Sequence, residues 1–205
     1  PYFLFLITNF YIKIGFIFAL ASSILFAVRP ILVKLVYEEN VDSETLMVYR
    51  MIFSAPIYAI MLTYLLRLES RRAKLNSSLI FKISFVGLFG YYAASLFDLL
   101  GLQYVTAQLG RMILYAYPTI VVLLGALFFA KPITRSTIIS LAITYFGIFV
   151  IFSHDLKSFG PDVVTGGLLI LASALSFALY LLFSKDLIDK VGSQVFTCIA
   201  LISAS

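Results

Sequence analysis

Seven long apolar segments follow one another along this chain of 205 residues. They cover residues 14–37, 44–66, 79–101, 107–130, 135–153, 164–184 and, cut short, 192–205. A helix needs about 20 apolar residues to cross the hydrocarbon of a bilayer. The segments are continuous rather than alternating and are longer than barrel strands, so strands are not expected. The pattern predicts an all-α, polytopic membrane protein with about seven spans.

The composition excludes several other classes of protein. The chain is 62% hydrophobic and 12% charged, which is too apolar for a soluble domain. Its net charge of +5 comes from cations between apolar segments, so no nucleic-acid partner is expected. The single histidine, His154, makes no metal cluster or general-base pair, and there is no Gly-rich phosphate loop. We therefore expect neither an enzyme nor a cofactor.

Basic residues fall almost entirely on one side of the predicted spans. The connections on the amino-terminal side hold Lys13, Arg67, Arg71, Arg72, Lys74, Lys82, Lys131, Arg135, Lys185 and Lys190. The opposite connections hold Lys157 beside several acidic residues. Cytoplasmic loops are enriched in Lys and Arg, so we predict a cytoplasmic amino terminus in the cell membrane. Residues 1–13 are predicted to be a cytoplasmic or interfacial segment.

The chain also begins to repeat itself. A shift of 151 positions places residues 15–34 over 166–185 with seven identities in twenty. Five spans separate the two copies, so the second copy would enter the membrane in the opposite orientation. Inverted repeats are typical of secondary transporters, although chance similarity between two Leu- and Ala-rich helices is the alternative. We expect a first repeat of five helices at 14–153 and the start of a second at 164–205. The chain starts without Met and stops within an apolar run, so we expect it to be part of a longer protein.

Residues 101–134 carry the most specific motif, "GLQYVTAQLGRMILYAYPTIVVLLGALFFAKPIT". It combines a small-residue turn, a helix of the pattern A…L…PTxxxLLxxLFF and a short basic loop. With "ILFAVRPILVK" and "LMVYRMIFSAPI", it resembles the EamA-like transporters of the drug/metabolite transporter superfamily. The resemblance covers about 14–205 and implies ten helices and solute movement, in many members outward from the cytoplasm. Lys131 stands where the family usually has an acidic residue, and Phe26 where it has tryptophan.

The four basic residues that are not assigned to connections lie within the predicted spans: Arg29, Lys34, Arg50 and Arg111. At 1.5 Å rise per residue, Arg29 lies ~12 Å below the outer surface and the other three roughly 4–10 Å. Asp98, the only carboxylate inside a predicted span rather than at its end, lies at about the same outer level. Snorkelling accounts for Lys34, whereas for Arg111 both snorkelling and pairing with Asp98 stay open. Arg29 and Arg50 lie too deep to snorkel comfortably, so we expect them to face a cavity.

The outer half of that cavity would be net positive and would receive a carboxylate or phosphate, groups that guanidinium forks bind well. Several hydroxyls are available to it, those of Tyr91, Tyr92, Ser95, Tyr115 and Tyr117. The candidate substrate-binding residues are Arg29, Arg50, Asp98, Arg111, Tyr92 and Tyr115. Pro30, Pro56 and Pro118 are predicted helix kinks, either for packing or as hinges of the cavity.

These features predict a secondary transporter that exports small metabolites, such as amino acids or other polar or anionic solutes, by alternating access between inverted repeats. The expected partners are the solute, the lipid bilayer and a proton or counter-solute. A small-residue face at Gly125, Ala126 and Ala130 would permit close helix contact, in the bundle or in a homodimer. The alternative is a membrane assembly or interaction subunit that does not transport.

Overall fold

A computed structural model describes residues 2–67, 75–129 and 134–205, with side chains except at 2–14, 129, 151 and 155–159. The predicted loop cations Arg71, Arg72, Lys74 and Lys131 lie outside the described residues. In chain order the α-helices are α1 (Tyr2–Glu38), α2 (Ser43–Leu66), α3 (Ser77–Gly87), α4 (Ala94–Leu102), α5 (Ala107–Leu114), α6 (Tyr117–Phe129), α7 (Arg135–Phe159), α8 (Asp162–Val191) and α9 (Ser193–Ala204). A π-helical segment, Leu88–Ala93, joins α3 to α4. Every regular element in the described ranges is therefore helical, which confirms the all-α prediction.

Six helical stretches among the described residues are long and apolar enough to cross a membrane. These first to sixth spans are Gly15–Glu38, Ser43–Leu66, Ser77–Leu102, Ala107–Phe128, Arg135–His154 and Asp162–Val191. The shorter apolar helix α9 follows them. The six spans and α9 coincide with the seven predicted segments to within a few residues at most ends. An apolar run of this length is stable as a helix across a bilayer and in few other environments.

Side-chain caps and glycines fix where these helices begin and end. Asp42, Asn76 and Thr106 each accept a hydrogen bond from the backbone N–H three residues later, as N-cap residues do. The hydrogen bonds from Thr45 also lower the pKa of the Asp42 carboxyl. Gly192, at φ 83°, ends α8, since glycine adopts this left-handed region without strain.

The predicted end of the sixth segment at residue 184 was wrong. The polar stretch "KDLIDKVG", residues 185–192, was expected to be a connection, but α8 continues through it to Val191. Leu187 and Val191 are buried on one face of this extension and pack in the same cluster as Phe196 of α9. The charged residues of the extension, including Asp186 and Lys190, are exposed. The extension is thus an amphipathic helical turn stabilised by tertiary packing, which the mean polarity of the stretch conceals.

The sixth span, α8, is the centre of the bundle. It packs against the third, fourth and fifth spans and against α9. Its two halves belong to two separate clusters of buried side chains, one around Leu99, Leu109 and Ile170 and the other around Ile83 and Phe196. Large apolar side chains of the first, second and fifth spans are exposed, as lipid-facing residues of a membrane protein are.

The third and sixth spans approach most closely at two glycines. A Cβ added at Gly166 would lie 2.7 Å from the Cβ of Tyr104 and 2.9 Å from the carbonyl oxygen of Gly101. A Cβ at Gly101 would lie 2.8 Å from the carbonyl oxygen of Gly166. Small residues let membrane helices pack backbone to backbone, and these two set the separation of the spans that hold the cavity described below.

We predict that Gly166→Ala lowers the free energy of unfolding by about 1–3 kcal/mol, because the added methyl group overpacks this contact. Gly147→Ala is the matched control, since a Cβ there meets nothing within 4 Å. It should leave stability unchanged or raise it slightly through helix propensity. Melting temperatures of the purified full-length variants in one detergent give the comparison. Equal melting temperatures for both variants would contradict the close contact.

Candidate functional site

A cavity of about 310 Å³ lies between the first, second, third, fourth and sixth spans. Its lining residues are Phe26, Arg29, Arg50, Gly90, Tyr91, Ala94, Ser95, Asp98, Leu114, Tyr117, Ser173 and Phe177. We call it the upper cavity. It lies in the half of the bundle nearer the connection at 39–42, which we call the Asp42 side. The opposite end, where Lys82 and Lys190 lie near helix termini, is the Lys82 side.

An ion pair joins the first span to the third within this cavity. Nη1 of Arg29 lies 3.0 Å from Oδ2 of Asp98, and the two side chains are 28% and 8% exposed. A hydrogen bond from the Tyr37 hydroxyl to the carbonyl oxygen of Leu99, at 2.8 Å, joins the same two spans nearby. The guanidinium group of Arg29 thus lies close enough to the Asp98 carboxylate to compensate its charge at short range.

The second arginine of the cavity, Arg50, comes from the second span. Its Nη2 donates to Oγ of Ser95 at 2.8 Å, three residues before Asp98 in the third span. Two guanidinium groups and one carboxylate give the cavity one net positive charge. In addition, Nη2 of Arg29 is buried and has no hydrogen-bond partner in the part of the chain that the structure describes. Arg29, which lines the cavity, thus carries a charged donor that none of the described residues engages.

The middle of the third span is π-helical, a feature for which the sequence carries no recognised signal. Two serines of the sixth span donate to its backbone: Ser176 to the carbonyl oxygen of Phe89 at 2.8 Å, and Ser173 to that of Ala94 at 2.6 Å. A π-helical turn disturbs the regular i to i−4 ladder, and side-chain donors can satisfy the carbonyls that it displaces. Ser173 and Ser176 lie three residues apart on one face of the sixth span, so both can reach this backbone.

The tyrosines of the third and fourth spans differ in whether they line the cavity. Tyr91 and Tyr117 line it, whereas the predicted site residues Tyr92 and Tyr115 do not. These two are 42% and 47% exposed. The prediction failed because a π-helical turn contains an additional residue and so shifts the faces of the residues along it. Tyr115 was misplaced for a related reason, since it ends α5 at a break in the fourth span.

Arg111 lies apart from the ion pair. Of the two alternatives left open for Arg111, pairing with Asp98 is contradicted, because Asp98 pairs with Arg29. Arg111 instead donates to the carbonyl oxygen of Phe26, and its guanidinium carbon lies 4.1 Å from the centre of the Phe26 ring. Arg111 therefore fixes the first span against the fourth through the backbone and ring of a residue that lines the cavity.

The three prolines differ in what they do to their helices. α1 continues through Pro30 and α2 through Pro56. The fourth span, in contrast, is interrupted just before Pro118, where α5 ends at Leu114 and α6 begins at Tyr117. Pro118 is the second residue of α6, where its missing N–H costs little. Of the three predicted kinks, only the one at Pro118 coincides with a break in its helix.

In the described part of the chain, no three His, Cys, Asp or Glu side chains are grouped so as to hold a metal ion. The chemistry that the upper cavity offers is therefore charge and hydrogen bonding: two guanidinium groups, one carboxylate and the hydroxyls of Ser95, Tyr91 and Tyr117. Such a set can bind and orient a polar solute.

A helical bundle with six spans and a charged cavity between them defines a polytopic integral membrane protein. The chain belongs to the EamA-like transporter family, whose pattern residues 13–153 match. This confirms the resemblance of residues 101–134 and the neighbouring motifs to that family.

Two curated relatives have the same general description. The chain is 26% identical over 180 residues to "Uncharacterized transporter YcbK" of Bacillus subtilis (strain 168), covering 87% of this chain and 56% of that protein. It is 26% identical over 124 residues to an "Uncharacterized transporter" of Archaeoglobus fulgidus, covering 60% of this chain and 43% of that protein. The chain thus spans about half the length of these relatives. No solved structure matches it.

We predict that Asp98→Asn and Arg29→Gln are each destabilising by about 1–3 kcal/mol and that the double variant loses less than their sum. Either single change leaves one charge of the pair uncompensated, whereas the double change removes both charges. Thermal unfolding of the four full-length proteins measures the coupling. Asp98→Asn combined with Arg135→Gln is the control. Arg135 is exposed at the start of α7, so the loss of stability in this double variant should equal the sum of the two single losses. Additive losses for Arg29 and Asp98 would contradict a stabilising ion pair.

Proposed function

We propose that the upper cavity is the substrate site of a secondary transporter that exports small polar solutes bearing an anionic group, such as amino acids. One observation carries the proposal. Two guanidinium groups face a single carboxylate in the cavity, and Nη2 of Arg29 is a buried donor that none of the described residues engages. A buried charge with an unsatisfied donor is costly, so a ligand that accepts a hydrogen bond from it relieves that cost.

Arg50 and Arg29 would divide the recognition of such a solute. Arg29 is held by Asp98 and presents its second Nη atom, whereas Arg50 is held by a neutral serine hydroxyl and keeps its full charge for the solute. Asp98 would face a cationic group of the same solute, such as an ammonium. The volume of about 310 Å³ suits a small metabolite.

Transport would follow the scheme of inverted repeats, in which a central site is exposed alternately to the two sides of the membrane. With the basic loops in the cytoplasm, the Lys82 side would be cytoplasmic, the Asp42 side external and the protein in the cell membrane. Asp98 is the candidate for coupling to a proton, and exchange against a counter-solute or assembly into a homodimer is compatible with the same site. The site uses no cofactor in this proposal.

We predict that Arg50→Gln in the full-length protein lowers the flux of anionic solutes about tenfold or more, because a charge-assisted hydrogen bond is lost at the site. Flux of cationic solutes of similar size should not fall. Efflux from preloaded cells or proteoliposomes, scaled to protein amount, is the measurement, and Arg135→Gln is the control because it removes a cation outside the cavity.

Arg29→Gln completes the test. If neither Arg50→Gln nor Arg29→Gln changes anion flux, the anionic solute is excluded. If the unaltered protein moves no small solute at all, the membrane assembly subunit replaces the transporter as the function.

A further inference from the structure

A second cavity, of about 480 Å³, lies along the third and sixth spans, between the upper cavity and the Lys82 side. We call it the lower cavity. Phe81, Phe85, Phe89, Tyr180 and Phe183 line it together with Lys82, Asp186 and Lys190, and because the four phenylalanines are exposed, it opens at the surface of the bundle. The two cavities share no lining residue, yet they meet at consecutive positions, since Phe89 lines the lower one and Gly90 the upper one.

Two tyrosines stand between these cavities. Tyr91 lines the upper cavity and Tyr180 the lower one, and their hydroxyl oxygens lie 3.0 Å apart in a hydrogen bond. Their ring centres lie 5.2 Å apart at an angle of 64°. Tyr180 also stacks on Phe177 at 5.6 Å, and Phe177 meets Tyr117 edge-on at 5.1 Å. Aromatic rings thus form a continuous layer from the fourth span across the sixth to the third.

The position of the pair along its helices puts this layer near mid-membrane. Tyr91 is eleven residues from Leu102, the end of its span on the Asp42 side. Tyr180 is eleven residues from Val191, the end of its span on the Lys82 side. At 1.5 Å per residue each lies about 16 Å from that end. A solute that leaves the upper cavity toward the Lys82 side therefore meets this layer first.

We propose that the Tyr91–Tyr180 pair is the gate between the two cavities and that the lower cavity is the continuation of the solute's path. This rests on the proposed transport function. A hydroxyl pair suits a gate because its one hydrogen bond contributes little net stability and each hydroxyl can exchange its partner for water or for the solute.

The backbone around the pair provides a way to open it. Tyr180 packs on the bare backbone of Gly90, where an added Cβ would lie 2.2 Å from the Tyr180 ring. Gly90 and Tyr91 both belong to the π-helical segment. Conversion of that segment to α-helix would rotate Tyr91 relative to Tyr180 without unfolding the span, which is how π-helical turns serve as hinges. The hydrogen bonds from Ser173 and Ser176 hold the segment in the closed arrangement.

The test is thiol accessibility in the full-length protein, with Cys198 and any further cysteine replaced by alanine. Ala94→Cys then introduces one reporter thiol at a position that lines the upper cavity. A membrane-impermeant thiol reagent is then added from one side at a time, in vesicles of the two orientations. In the otherwise unaltered protein, we expect labelling from the Asp42 side and slow labelling from the Lys82 side.

Tyr180→Phe keeps the ring and removes the hydroxyl pair, so it should raise the rate of labelling from the Lys82 side about fivefold. Tyr180→Ala opens the layer and should raise that rate further, while labelling from the Asp42 side stays unchanged in both. Tyr64→Phe is the matched control, because Tyr64 is 70% exposed on the second span, and it should change neither rate.

The gate is refuted if Tyr180→Phe leaves labelling from the Lys82 side unchanged, or if the unaltered protein is labelled equally fast from both sides. Tyr180→Phe decides the matter even where Tyr180→Ala fails to fold. No solute is present in this assay, so its result does not depend on whether the substrate is anionic. Conversely, a negative result for the gate would not contradict the binding of an anion in the upper cavity.

Discussion

The ion pair between Arg29 and Asp98 is the constraint on which the rest of the upper cavity depends. Either charge alone inside a bilayer would be costly, so the contact between the two residues holds the first and third spans together. Their contact leaves Arg50 beside a neutral hydroxyl, and this produces the net positive charge of the cavity. The close approach of the third and sixth spans at Gly101 and Gly166 holds together two of the spans that line the cavity.

The π-helical segment connects this charged region to the aromatic layer below it. Serines of the sixth span hold its carbonyls, and its own residues place Gly90 against the Tyr180 ring and Tyr91 at the Tyr180 hydroxyl. In the alignment of the two predicted repeats, Tyr180 occupies the position of Arg29. The two copies of that helix would thus contribute a charged group to one side of the path and an aromatic gate residue to the other.

The sequence predicted the helices well and the site only in part, for a physical reason. Apolar length fixes the spans, and rise per residue fixes depth, so Arg29, Arg50 and Asp98 could all be assigned to the outer half of the membrane. Rotation about each helix axis depends on packing that single segments do not encode. The sequence therefore left pairing of Asp98 with Arg111 open and did not indicate Arg29 as its partner, and the π-helical turn brought Tyr91 to the cavity in place of Tyr92.

The central claim is that the upper cavity binds an anionic group. Its most direct test is the melting temperature of the purified full-length protein with pairs of small solutes that match in size, one a carboxylate and the other its amide. The account predicts that the carboxylates raise the melting temperature in a concentration-dependent way and that the amides do not, since ligand binding to the folded state stabilises it. Equal shifts for both members of each pair, or stabilisation by cationic solutes alone, would contradict it.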